Sequence, residues 1–154
     1  MQNHTKTETR LAFIQFIFSS LFSDATVEEN TVEFENYFYK LPVSSIEQKN
    51  EKPINFNKNY FKKLTKNYDE FIKNHNIKEI INSIIKFDRS FDNWDQINKS
   101  IILSIFSEIE ITKKEKVKIL LNDYMNISKT LIPKKDLSVI NAITDKYLSD
   151  RQIL

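Results

Sequence analysis

No glycine occurs anywhere in the 154 residues. Glycine is the residue that enters positive-φ conformations and lets a ligand approach the backbone closely. Its absence removes the dinucleotide-binding loop, the Walker phosphate loop, the serine-hydrolase elbow and the kinase phosphate loop. Turn positions that need positive φ fall to asparagine, and Asn74, Asn76 and Asn93 stand where turns are wanted. Cysteine is absent too, which excludes thiol catalysis, cysteine-ligated zinc, iron–sulfur clusters and disulfides, and is compatible with a reducing compartment.

Apolar residues recur at helical spacing almost throughout. Leu11, Ile14, Ile17, Phe18 and Leu21 form one stripe, and Phe61, Leu64, Tyr68, Phe71 and Ile72 another. Ile77, Ile80, Ile81, Ile84 and Ile85 follow the i, i+3, i+4, i+7, i+8 pattern, and Ile97, Ile101, Ile105 and Ile109 repeat every four. Val117, Leu120, Leu121, Tyr124, Met125 and Leu131, then Ile140, Ile143 and Tyr147, close the series. Period-two alternation is not sustained anywhere, so the expected fold is all-α, a single domain over 1–154 of about six or seven helices. Thr5/Glu8, Thr26/Glu29 and Thr112/Glu115 each match a capping box. The weakly patterned stretch 41–59, with two of the three prolines, reads as a surface loop.

The longest apolar stretch, Leu11 to Phe18, is broken by Gln15 and is far short of the roughly 20 residues a membrane span needs. The N-terminus has no signal-peptide pattern, and a cytoplasmic location is expected. His4 and His75 have no partner at metal-ligand spacing, so no metal and no cofactor is expected. The acid pairs Glu28/Glu29, Glu33/Glu35 and Asp69/Glu70 read as solvated faces, which leaves no catalytic residue to nominate. Glu108 lies among the apolar residues of Ile101–Ile111 and needs a hydrogen-bonding partner, a structural role. Trp94 reads as a core or helix-packing residue.

The net charge of +2 is unevenly spread. Residues 1–48 hold three basic and seven acidic side chains, whereas the remaining 106 hold 20 and 14. Lys113–Lys135 contains seven lysines against Glu115 and Asp123. Clustered positive charge attracts phosphate backbones. Lys6 and Arg10, four apart, share one helix face beside Phe13, Phe16, Phe18 and Phe22, a combination suited to single-stranded RNA.

Several segments, in order, resemble the transcription antitermination factor NusB family. Lys118–Lys129 is similar to its K-V-A-I-N-E-x-V-E-L-A-K segment, and Val139–Lys146 to its F-V-N-G-V-L-D-K. Ile101–Ile109 resembles the helix ending L-R-x-A-x-Y-E-L, Arg10–Phe18 resembles R-E-x-A-x-Q-A-L-Y, and Asn59–Leu64 a Y-F-x-x-L helix start. The chain departs from the pattern at Leu103, Ser107, Val139 and Ala142, and the family's N-terminal arginine cluster is reduced to Lys6 and Arg10.

The resemblance implies a bundle of about seven helices in two small subdomains. It implies a non-enzymatic factor that binds boxA-type RNA of ribosomal RNA transcripts together with ribosomal protein NusE, within an RNA polymerase antitermination complex. The family contains monomers and dimers, so a homodimer is one expectation. On this reading Lys6 and Arg10 contact RNA phosphates and Phe18 stacks or packs near the RNA. By charge, Lys113, Lys114, Lys134 and Lys135 extend the basic surface. Asn98 is the candidate partner-binding residue, and Asn122 and Asn141, at family positions, are helix-packing or capping residues. The alternative is a module of the same fold that binds proteins with little or no RNA binding. A third reading is the similar RNA-binding domain of some ribosomal RNA cytosine methyltransferases; with Leu154 ending the chain, a standalone factor is expected.

Overall fold

The stripes become helices because each buries one face against a neighbour. The computed structural model describes residues 3–37, 56–84 and 91–151. They form α1 (Asn3–Ser20), α2 (Val27–Tyr37), α3 (Lys58–Asn74), α4 (Ile77–Ile84), α5 (Gln96–Ile109), α6 (Val117–Ser128) and α7 (Lys134–Asp150), with 3₁₀ turns at Phe91–Asn93 and Lys114–Lys116. No strand occurs among the described residues, and the fold is all-α.

The centre of the molecule is α5. Every side chain from Ser100 to Ile109 is buried, the signature of a helix covered on all sides. Helices α1, α3, α6 and α7 pack around it. Ser100, Ser104 and Ser107 keep it slim, and each hydroxyl donates to a carbonyl one turn back (Gln96, Ser100 and Ser104) at 2.7, 2.6 and 3.2 Å. The buried hydroxyls are thereby satisfied within the helix.

An aromatic cluster ties α1, α2 and α3 together. Phe16 meets Phe34 and Phe61 edge-on at 5.8 and 5.7 Å, and Phe34 stacks on Phe61 at 5.1 Å. On the other side of α5, Phe106 stacks on Tyr147 of α7 at 3.9 Å. The buried apolar residues form one contiguous cluster.

Four helices of this glycine-free chain end without a left-handed cap. The C-caps His75, Glu110, Lys129 and Arg151 have φ of −134°, −60°, −55° and −95°. After α5 the amides of Glu110, Ile111 and Thr112 reach the carbonyls of Ser107, Glu108 and Ile109 at 3.2, 3.1 and 3.1 Å. The end is thus a run of tight turns. These four ends leave by right-handed or extended exits. Asparagine acts at helix starts: Asn57 accepts the Tyr60 amide at 2.9 Å, and Asn76 accepts that of Glu79 at 3.2 Å.

Of the three capping boxes, only Thr26/Glu29 forms. The Glu29 amide donates to the Thr26 hydroxyl at 3.1 Å, and that hydroxyl donates to the Glu29 carboxylate at 3.0 Å. Thr5 lies inside α1. Thr112 turns its hydroxyl back to the Glu108 carbonyl at 2.6 Å, so Lys113 becomes the cap of the following turn. The loop expected over 41–59 falls outside the described residues as far as 55. From there the expectation is corrected: Phe56 is buried in the core, Asn57 caps α3, and residues 58–59 are helical.

Candidate nucleic-acid interface

Glu108 ends the buried run of α5 with its carboxylate fully out of water. A lone buried carboxylate is costly, so the fold surrounds it with donors. Arg10 of α1 gives it Nε, 3.1 Å from each oxygen, and Nη2 at 2.8 Å. Tyr60 of α3 and Tyr124 of α6 donate their hydroxyls at 2.7 and 2.6 Å. The second arm of the guanidinium, Nη1, bonds Asp123 of α6 at 2.7 Å, and Asp123 also accepts from Thr7 at 2.7 Å. Four helices therefore meet at one charge cluster.

Burial works against the Arg10 charge, but the bonds to Glu108 and Asp123 outweigh it and hold the guanidinium above its ordinary range. Arg10 is only 6% exposed. This corrects its expected role as a phosphate contact, because both arms of the side chain are spent on carboxylates beneath the surface. Sharing a helix face with Lys6 does not give it Lys6's access to solvent.

Burial, and then the Glu108 carboxylate, raise Tyr60 and Tyr124, while burial and Glu110 raise Tyr147. Burial pushes Tyr68 up to about 12. In the unfolded chain each phenol titrates near 10, so above about pH 10 the unfolded state sheds protons that the folded state keeps. Stability is complete below that pH and falls as pH rises toward the folded values. Thermal unfolding followed from about pH 9 to about pH 12 is expected to show a falling Tm, with phenolate absorbance from these four residues appearing only as the helices melt.

Above the charge cluster lies a groove of about 450 Å³. Its rim carries Lys6, Lys63, Lys113 and Lys116, from α1, α3 and the turn before α6. None of the four forms a salt bridge with another described residue. Lys6 lies over the Tyr60 ring at 5.9 Å. One wall is a face of α6, made of Ile119, Asn122, Asp123 and Asn126. Five cations against Glu108 and Asp123 leave the lining three charges positive.

The structure brings Lys6, Arg10 and Lys113 to this groove, with Lys114 exposed on the adjoining turn. Phe18 is elsewhere, twelve residues or roughly 18 Å further along α1, half-buried and edge-on to Phe22 at 5.2 Å. Lys134 and Lys135 are exposed at the start of α7. That start lies beside the beginning of α5, where the Asn98 amide donates to Asp136 at 3.3 Å. Asn98 and Glu108 are roughly 15 Å apart along α5, so these lysines stand at the opposite end from the groove. Asn98 is half-buried, and its Oδ1 has no hydrogen-bond partner among the described residues.

The packing roles expected for Asn122 and Asn141 are corrected. Both are exposed in mid-helix, because the inward stripes run through Val117, Leu120 and Tyr124 on α6 and through Ile140, Ile143 and Tyr147 on α7. Lys63, Lys116 and Asn126 are groove residues that the sequence did not single out. The available signal was spacing: Lys63 is one turn from Tyr60, and Lys116 shares a turn with Lys113. Trp94 is half-buried and tilted against Phe91 at 5.2 Å.

Among the described residues no group of three or more His, Asp or Glu side chains is placed to hold a metal ion, and no helix is long and apolar enough to cross a membrane. Fold and site define a class: an all-α protein whose helices converge on a buried charge cluster beneath a lysine-rimmed groove. No protein-family model matches the chain, and neither a curated protein nor a solved structure matches it.

Proposed function

We propose that this protein is a non-enzymatic RNA-binding factor of the NusB type, acting in the cytoplasm. It holds boxA-type RNA jointly with ribosomal protein NusE in an RNA polymerase antitermination complex. The observation that carries the proposal is the convergence of Lys6, Lys63, Lys113 and Lys116 on one groove, with no carboxylate partner for any of them among the described residues. Side chains from separate elements are held there by the Arg10–Glu108–Asp123 cluster below. Lysines that form no salt bridge with a described residue, beside a half-buried tyrosine, suit a single-stranded phosphate backbone.

Burial of Arg10 leaves fewer cations for RNA than the sequence suggested, so weak binding alone and tighter binding with the protein partner are expected. Fluorescence anisotropy with boxA-type and scrambled RNA, each with and without NusE, tests this. Preference for the boxA-type RNA, strengthened by NusE, supports the reading; equal, weak binding of both RNAs in every arm removes it. A second reading has its own observation. Phe22, just past α1, and Val32, within α2, are 67% and 55% exposed, which suits a protein-interaction module that has lost RNA binding. Capture of NusE with no RNA preference would favour that reading.

A further inference from the structure

Beyond the lysines, the α6 wall of the groove carries side chains that charge attraction alone leaves unused. Asn122 and Asn126 are one turn apart on the same helix face. Both are exposed, both line the groove, and neither side chain hydrogen-bonds to another described residue. Ile119, one turn earlier on that face, is 64% exposed, and Ile111 faces the same space. The groove thus holds three chemistries side by side: ammonium groups for phosphate, carboxamides for a hydrogen-bonding edge, and branched apolar surface for a flat face. A volume of about 450 Å³ falls within the roughly 300–1,000 Å³ of clefts that take a small ligand, and suits one nucleotide better than a duplex.

Resting on the RNA-binding reading above, we propose that the groove holds one unstacked adenosine of the bound strand. Asn122 and Asn126 read its base edge, Ile119 covers its face, and Lys63, Lys113 and Lys116 meet the flanking phosphates. The choice of base follows from matching groups. A purine covers more of the isoleucine wall than a pyrimidine. A carboxamide sets an acceptor beside a donor, which fits the adjacent amino group and ring nitrogen of adenine. The corresponding edge of guanine offers two acceptors and suits a cation instead. Asn122 and Asn126 are therefore specificity-determining residues, and the lysines supply affinity for any sequence.

The test uses the full chain and four seven-nucleotide oligouridylates whose central position is A, G, C or U, measured by anisotropy over a salt series. The adenosine oligomer is expected to bind about tenfold more tightly than the others, the usual scale of one good amide–base contact. Asn122→Ala/Asn126→Ala is expected to erase that preference and leave the salt slope unchanged. Alanine at two exposed helical positions favours the helix, so the variant keeps its fold. Equal binding of all four oligomers by the unmodified protein, or an adenosine preference that survives the double substitution, overturns the subsite and leaves the RNA-binding reading standing. Absence of salt-dependent binding to every oligomer overturns both.

Discussion

Glu108→Ala is expected to destabilise the protein by about 3–5 kcal/mol, the range for removing one partner of a buried ion pair. The size of the effect comes from what is left behind. Arg10, 6% exposed, would keep its charge below the surface with Asp123 as its remaining carboxylate. Tyr60 and Tyr124 would keep hydroxyls with no acceptor, and each stranded donor adds desolvation cost. For a domain of this length such a loss lowers Tm by roughly 6–20 °C. Asp123→Ala is expected to cost less, because the Asp123 side chain is 18% exposed and water can take its place. Removing the buried Arg10–Glu108 pair together gives the decisive comparison. Arg10→Met/Glu108→Leu/Tyr124→Phe replaces the centre of the cluster with apolar volume, and such replacements are often neutral or stabilising. Urea unfolding followed by circular dichroism separates the cases. The idea fails if Glu108→Ala unfolds at the same urea concentration as the parent, or if the triple variant is as weak as the single one.

This cluster also marks how far the sequence could be read. The apolar neighbours of Glu108 are local, and they alone required a partner for its carboxylate. The partner, Arg10, is 98 positions away, and no spacing rule reaches that distance. Helical periodicity says which residues share a face; it does not say which face turns inward. Lys6 and Arg10 share a face, yet α1 enters the molecule between them, leaving Lys6 at the rim and Arg10 under it. Capping boxes show the same limit. Thr26 and Thr112 head the same four-residue pattern, but Thr112 follows directly on α5, whose last carbonyls need donors, and its hydroxyl goes there. By contrast the helices themselves were legible. The stripes through Phe61, Leu64 and Tyr68, and through Ile140, Ile143 and Tyr147, are set by burial, and burial is what shapes the apolar pattern. The basic run 113–135 was legible as charge, but α6 and its flanking turns carry its two ends to opposite ends of α5.

That separation makes the last expectation a sharp one. A single-stranded RNA loses affinity with salt at a log–log slope of about −0.7 per phosphate contact. Four contacts, from Lys6, Lys63, Lys113 and Lys116, give a slope near −2.8, or about a 50-fold fall in affinity between 50 and 200 mM salt. Lys6→Ala/Lys63→Ala/Lys113→Ala/Lys116→Ala is expected to lose nearly all of that dependence and to bind too weakly to measure at the higher salt. Stability should change little, because none of the four is in a salt bridge with a described residue, and Lys6 gives up only a ring contact with Tyr60. Lys134→Ala/Lys135→Ala removes half as many charges from the far end of α5. Along that helix the separation from the groove is roughly 15 Å, beyond the screening length of about 10 Å at 0.1 M salt. This pair is expected to leave the slope where it was. Were the α7 pair to flatten the slope and the groove lysines to leave it intact, the strand would run along the start of α7 beside Asn98. The groove would then be only the roof of the Arg10–Glu108 cluster, its lysines solvated and its asparagines without a base to read.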